Sequence, residues 1–141
     1  MKLKILVFDT ENSLRELLRV FLSHQGHEVQ IFRDPSVCPV YQNLMNEQCS
    51  CPREQPCADV VIMDIDMPNL NALEFLRLQR KRGCRMLDAN KAVMSGSQSS
   101  VVHRAMAEFG CHHILKPFLL GEIKRWVEAC AERLAASRKP T

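Results

Sequence analysis

Four polar side chains in this sequence follow directly on short apolar runs. Asp9 follows residues 3–8, Asp64 follows 60–63, Ser95 follows 91–94 and Lys116 follows 113–115. If those runs are strands of one parallel sheet, the four residues share the edge where open α/β sheets place their chemistry. Two carboxylates brought together repel unless a cation sits between them. A hard divalent ion such as Mg²⁺ suits one or two carboxylates plus phosphate oxygens. Lys116 offers a second positive group and Ser95 a hydroxyl donor. Carboxylate, metal, ammonium and hydroxyl together stabilise a phosphoryl group in transfer. An aspartate can itself be the nucleophile that receives it.

The elements that must position these residues are readable from periodicity. Val60-Val61-Ile62-Met63 is a short, β-branched, fully apolar run, which reads as a strand buried on both faces. Pro68 and Asn69 then force a turn. Leu14, Leu17, Leu18, Phe21 and Leu22 recur at helical spacing, and Gly26 ends that helix. Residues 27–32 read as a short strand. Asp34 and Ser36 offer N-caps for a second helix burying Val40, Leu44 and Met45. Residues 71–82 form a helix carrying Leu73, Phe75 and Leu76, stopped by Gly83. Ser97 or Ser99 caps a further helix with Val101, Val102, Ala105, Met106 and Phe109 on its apolar side. The last helix carries Leu120, Ile123, Val127, Cys130 and Leu134 on one face, with Trp126 beside that stripe as a packed boundary residue or a partner contact. Strand and helix alternate five times. That order predicts an α/β fold, a doubly wound five-stranded parallel sheet with helices on both faces and right-handed crossovers. Residues 1–136 make one domain, and 137–141 a polar tail.

The chain has 141 residues, 46% of them apolar, enough for one core. A net charge of +3 is too mild to argue for nucleic acid. Arg77, Arg80, Lys81, Arg82 and Arg85 form either a solvated helix end or a partner patch. No apolar stretch approaches the ~20 residues that span a bilayer. Seven cysteines without an export signal suggest reduced thiols in a cytoplasmic protein. Cys38, Cys49, Cys51 and Cys57 lie in or near a Pro-rich stretch entering the N-terminal end of the Asp64 strand. They read as a reduced surface loop or as a tetrahedral Zn²⁺ site, although the usual C-x2-C pair is missing. Cys111, His112 and His113 alternate faces on a strand and make a poor chelate.

The whole pattern resembles the receiver domain of two-component response regulators, typified by the stand-alone chemotaxis regulator. The matching residues are Lys4-Ile5-Leu6-Val7-Phe8-Asp9 with Leu14-Arg15-Glu16-Leu17-Leu18, and Gly26-His27-Glu28-Val29. Asp64-Ile65-Asp66-Met67-Pro68-Asn69, Ser95-Gly96 and Lys116-Pro117-Phe118 complete the set, which spans nearly all of residues 2–135. The resemblance implies a flavodoxin-like sheet in strand order 2-1-3-4-5. It implies that Asp64 accepts a phosphoryl group from a histidine kinase or histidine phosphotransferase. Asp9 and Asp64, with the backbone carbonyl of Asp66, would hold Mg²⁺. Ser95 would donate to the phosphate and Lys116 would pair with it. The Lys116-Pro117 bond would be cis. The output face would be the fourth helix, fifth strand and fifth helix, with His103, His113 and Phe118 as contacts for a downstream protein or partner receiver. The resemblance gives no role in nucleic-acid or membrane binding, and makes the domain a phosphoacceptor rather than a conventional enzyme.

Four features depart from the family pattern, one being Asn71-Ala72 where the family has Asp-Gly after the Met-Pro turn. The second acid after the first strand is Thr10, so a metal ligand is replaced, and Glu11 or Asp66 is left to compensate. The aromatic switch residue of the fifth strand is His113, which either moves with Ser95 on phosphorylation or has no such role. The segment before the Asp64 strand is about ten residues longer than usual. Two rivals follow. A pseudo-receiver would use the same fold as a constitutive interaction module with impaired metal binding. A small haloacid-dehalogenase-type phosphatase would use Asp64-Ile65-Asp66 as a D-x-D pair, but the surroundings of Asp9 and Lys116 fit it less well.

Overall fold

The computed structural model describes residues 1–34, 58–68, 70–96 and 100–138. The expected second helix, Cys38, Cys49, Cys51, Cys57, Asn69, Ser97 and Ser99 lie outside the described residues. The strands are β1 (Lys4–Phe8), β2 (Glu28–Phe32), β3 (Val60–Asp64), β4 (Lys91–Ser95) and β5 (His112–Leu115). They pair in parallel in the order β2-β1-β3-β4-β5. The described helices are α1 (Asn12–His24), α2 (Ala72–Lys81), α3 (Ser100–Phe109) and α4 (Leu120–Arg138), with a 3₁₀ turn at Asp88–Asn90.

Side chains alternate across a strand, so the central strands feed two separate cores. Leu6, Phe8, Val61, Met63 and Val93 face one side, against Phe75 and Leu76 of α2 and Val102, Ala105 and Phe109 of α3. Ile5, Val7, Val60, Ile62 and Met94 face the other, against Leu18 and Leu22 of α1 and Ile123, Val127, Cys130 and Leu134 of α4. Each Val, Leu, Ile, Phe or Met among them contributes about 1.5–3 kcal/mol on burial. This double coverage is why β3 and β4 read as continuous apolar runs. Trp126 is packed into the second core, with its ring stacked on His112 at 5.3 Å.

The helix faces differ in detail from their periodicity. Leu17 is 45% exposed, because the face of α1 that meets the sheet is centred on Leu18 and Leu22. One residue turns a helix by ~100°, which carries Leu17 off that face. Met106 is likewise exposed, outside the stripe of Val102, Ala105 and Phe109. The final helix runs to Arg138, past the expected start of the tail at Ser137. Nothing in Ala135-Ala136-Ser137 breaks a helix, and Ser137 Oγ donates to the Leu134 carbonyl at 2.9 Å.

Helix α2 starts sharply. The Asn71 side chain accepts from Glu74 N at 2.8 Å while Glu74 reaches back to Asn71 N, a reciprocal cap. This helix begins just after the Asp64 turn, so its start bears on the site. Asn71→Ala should lower stability by about 1 kcal/mol, read as a lower denaturant midpoint at unchanged m-value. An unchanged midpoint would show that the cap adds nothing to the packing of Phe75 and Leu76.

Candidate phosphoacceptor site

The strand order makes β1, β3, β4 and β5 successive neighbours, so their C-terminal ends form one rim. Asp9 leaves β1 with its N–H donated to the Phe32 carbonyl at 3.0 Å. Its carboxylate is 1% exposed. Oδ1 accepts from Glu11 N at 2.8 Å and Oδ2 from Lys116 Nζ at 3.0 Å. Arg15, one turn into α1, donates through Nη1 to the Asp9 carbonyl at 2.6 Å. Asp9 is therefore gripped at four points, consistent with the rule that a buried charge must be paired and hydrogen-bonded.

Asp64 ends β3 and is more open, with its side chain 16% exposed. Its Oδ2 lies 3.6 Å from Lys116 Nζ, and its Oδ1 takes a long contact from Asp66 N at 3.4 Å. Burial raises the Asp64 pKa above the ordinary carboxylate value; Lys116 opposes that shift and Asp9 adds to it. A carboxylate so placed is more basic, hence a better nucleophile, than one in water. Lys116 precedes Pro117, and the bond between them is cis. Its ammonium is shared by both carboxylates, so one cation stands between two anions that would otherwise repel.

Ser95 ends β4 and is nearly buried. Its Oγ lies 2.9 Å from His113 Nε2, and its carbonyl accepts from Lys116 N at 2.8 Å. Burial, and to a lesser extent His103, lowers the His113 pKa. Thr10, Glu11 and Asp66 are exposed at the rim. Glu11 Oε1 accepts from Ser13 Oγ at 3.1 Å. Among the described residues no three His, Cys, Asp or Glu side chains gather into a metal-binding group. At this rim two carboxylates, those of Asp9 and Asp64, converge on Lys116. Burial pushes the Cys111 and Cys130 thiols up to about 11, which keeps both protonated and inert.

The structure thus brings Asp9, Asp64 and Lys116 into direct contact and sets the Ser95–His113 pair beside them. Arg15 was not expected from the residue types at the strand ends. Its signal is weak: a long cation six positions after Asp9, on the first turns of the helix that the Asp9 loop starts.

No family model matches the chain. It is 29% identical to the response regulator MprA of Mycobacterium sp. (strain KMS) over 142 residues, spanning 99% of this chain and 55% of MprA. It is 29% identical to the alkaline phosphatase synthesis transcriptional regulatory protein SphR of Synechococcus elongatus over 80 residues, covering 57% of this chain and 30% of SphR. The chain therefore spans about half, or less, of the length of these curated relatives. Among solved structures it is similar to the Vibrio cholerae chemotaxis protein CheY4, with TM-score 0.70 and 18% identity over 92% of this chain and 99% of that one. A CheY-like receiver domain from Methanospirillum hungatei JF-1 matches with TM-score 0.74 and 16% identity over 97% and 99%. The fold is the CheY-like, flavodoxin-type topology of receiver domains, and the sequence is similar to that of response regulators. Among the described residues no helix is long and apolar enough to cross a membrane.

Proposed function

We propose that this domain is a phosphoacceptor. Asp64 takes a phosphoryl group from a phosphohistidine on a histidine kinase or histidine phosphotransferase and signals by a change of surface. The observation that carries this reading is the single ammonium of Lys116, 3.0 Å from Asp9 and 3.6 Å from Asp64. In the transfer an Asp64 carboxylate oxygen bonds to phosphorus, the phosphorus–nitrogen bond breaks, and its electron pair stays on the donor imidazole. Negative charge spreads over the phosphoryl oxygens as this happens. Lys116 faces that charge, and Ser95 stands at the next strand end to donate to it. The domain supplies positioning and charge, and is left covalently changed after one transfer.

Two carboxylates that already share one cation suit a second small cation, and Mg²⁺ accepts such a set when waters and phosphoryl oxygens complete it. Asp9, Asp64 and the Asp66 carbonyl would hold it, and it would neutralise charge on the phosphoryl oxygens. Incubation with a small phosphodonor and Mg²⁺ followed by intact mass tests the reading. One phosphoryl adduct is expected, and none at any donor concentration would overturn it.

For output we propose the face of α3, β5 and α4, where Met106, Leu115 and Leu119 are exposed at 39%, 50% and 69%. His103 lies exposed on the same side, and Phe118 is half-buried. The occupant would be a downstream protein or a partner receiver.

Thr10 sets the strength of the metal step. A neutral hydroxyl replaces the charge that a third carboxylate would supply. Thr10→Asp should tighten Mg²⁺ about tenfold, on the order of 1 kcal/mol for one added charge at partial exposure. It should also lower the stability of the metal-free fold, since three carboxylates would crowd one rim. Titration of Trp126 fluorescence or amide shifts with Mg²⁺ measures this. Equal affinities would show that Glu11, Asp66 or water already completes the site.

A further inference from the structure

Ser95 has one hydroxyl proton, and the structure places its Oγ 2.9 Å from His113 Nε2. That proton cannot be given to two acceptors at once. We propose that His113 is a positioning residue for Ser95: with Nε2 bare it takes the Ser95 proton and withholds it from a phosphoryl group on Asp64, and with Nε2 protonated it donates to Oγ and releases that proton to the phosphoryl oxygen. This inference rests on Asp64 being the phosphoacceptor.

The geometry supports both arrangements. An imidazole nitrogen is an acceptor when bare and a donor when protonated, and a serine oxygen can serve as either partner. His113 pairs in register with Val93 on β4, so its ring shares a sheet face with the Ser95 side chain and needs no strand movement to reach it. A phosphorylated Asp64 is a strong acceptor at the neighbouring strand end, so it competes for the same hydroxyl. The ring's charged surroundings come from three elements. His103 faces it from α3 and disfavours its protonation. His112 adjoins it on β5, and Glu122 and Arg125 of α4 line the cleft that His112 and His113 share.

The coupling is reciprocal. If protonation of His113 favours the phosphorylated state, phosphorylation raises proton affinity at His113 by the same factor. Part of that rise is plain Coulomb attraction, which does not need Ser95. The part that passes through the hydroxyl disappears in Ser95→Ala. The two parts can therefore be separated.

The experiment follows the imidazole nitrogens by long-range ¹H–¹⁵N spectra, with and without beryllofluoride and Mg²⁺ as the phosphoryl mimic. In the free protein at high pH, neutral His113 should carry its proton on Nδ1, leaving Nε2 bare. On loading, the His113 midpoint should rise by about one pH unit, a tenfold change in proton binding. The rise should be less than half as large in Ser95→Ala. Lifetime of the phosphorylated protein should lengthen as pH falls through the His113 midpoint, and lose that dependence in His113→Phe. An Nε2–H tautomer in the free protein, or an equal rise in Ser95→Ala, would overturn the proposal. The expected tautomer with no beryllofluoride effect on Asp64 resonances would overturn the Asp64 reading, and with it the phosphoryl half of the coupling, while leaving the Ser95–His113 bond established.

Discussion

Asp64→Asn should abolish the phosphoryl adduct completely while making the metal-free protein more stable. The first effect follows from chemistry. An amide oxygen is not an anionic nucleophile, and no other described carboxylate combines the openness of Asp64 with contact to Lys116. Asp9 touches the same ammonium, but it is 1% exposed and both its oxygens are engaged. The second effect follows from the raised pKa of Asp64, whose first cause is burial. A carboxyl whose pKa is higher in the folded than in the unfolded chain binds its proton more tightly when folded. Its stabilising contribution is present below the unfolded value and is lost as pH rises through the folded one. At neutral pH the ionised group therefore weighs against folding, and asparagine removes that burden. Lys116 keeps its closer partner, Asp9, in the variant. The gap between the unfolding midpoints of Asp64→Asn and the parent should grow from acid towards neutral pH. Labelling that persists at the parent level in Asp64→Asn would move the acceptor elsewhere. A variant less stable than the parent at neutral pH would mean that the 3.6 Å contact with Lys116 outweighs desolvation.

Lys116→Ala should cost about 3 kcal/mol of stability at neutral pH. Removing the ammonium strands a buried Asp9 carboxylate whose Oδ2 then lacks its donor, with Asp64 close by. This cost is mostly the penalty of an uncompensated buried charge, not the net worth of the pair. Two corollaries make the cause testable. Without the ammonium Asp64 loses the group that opposes its raised pKa and protonates more readily in the folded state, so the deficit should shrink as pH falls. Asp9→Asn should recover much of the loss in Lys116→Ala while giving no such gain alone, a strong coupling in the double-mutant cycle. Chemical unfolding of the four proteins at two pH values measures all of this. A deficit under about 0.5 kcal/mol, the range of an exposed ion pair, would show that water replaces the ammonium freely. Charge balance through Lys116 would then not be what holds the rim together.

Much of the scaffold is written in local pattern. The runs before Asp9, Asp64 and Ser95 are strand-length and apolar except near their N-terminal ends, at Lys4 and Lys91, because both faces of β1, β3 and β4 are covered. Alternation with helical stripes then forces parallel pairing, and parallel pairing alone puts the four polar strand ends on one rim. The residue types at those ends thus suggested phosphoryl chemistry before any contact was known. The departure at Thr10 was equally legible, since it concerns one residue type at one position.

What the sequence could not decide is how the elements dock and which side chains meet when they do. Lys91 reads as a polar start to a weak strand, yet it is 2% exposed and its Nζ pairs with Asp88 at 3.2 Å. That pairing exists because the 3₁₀ turn before β4 brings Asp88 under a buried ammonium that must have a partner. Leu17 and Leu18 are the same residue type side by side, and only the docking of α1 on the sheet exposes the first and buries the second. Asp9 and Asp64 look alike as strand-end acids. Burial separates them into a fixed charge and a more accessible carboxylate, through Phe32, Glu11, Arg15 and Lys116, which come from four different segments. The Ser95–His113 bond joins residues 18 apart through the register of β4 against β5. Periodicity reports which way a side chain faces along its own element. It carries no information on which side chain of another element will meet it there, and that meeting is set by strand order and register.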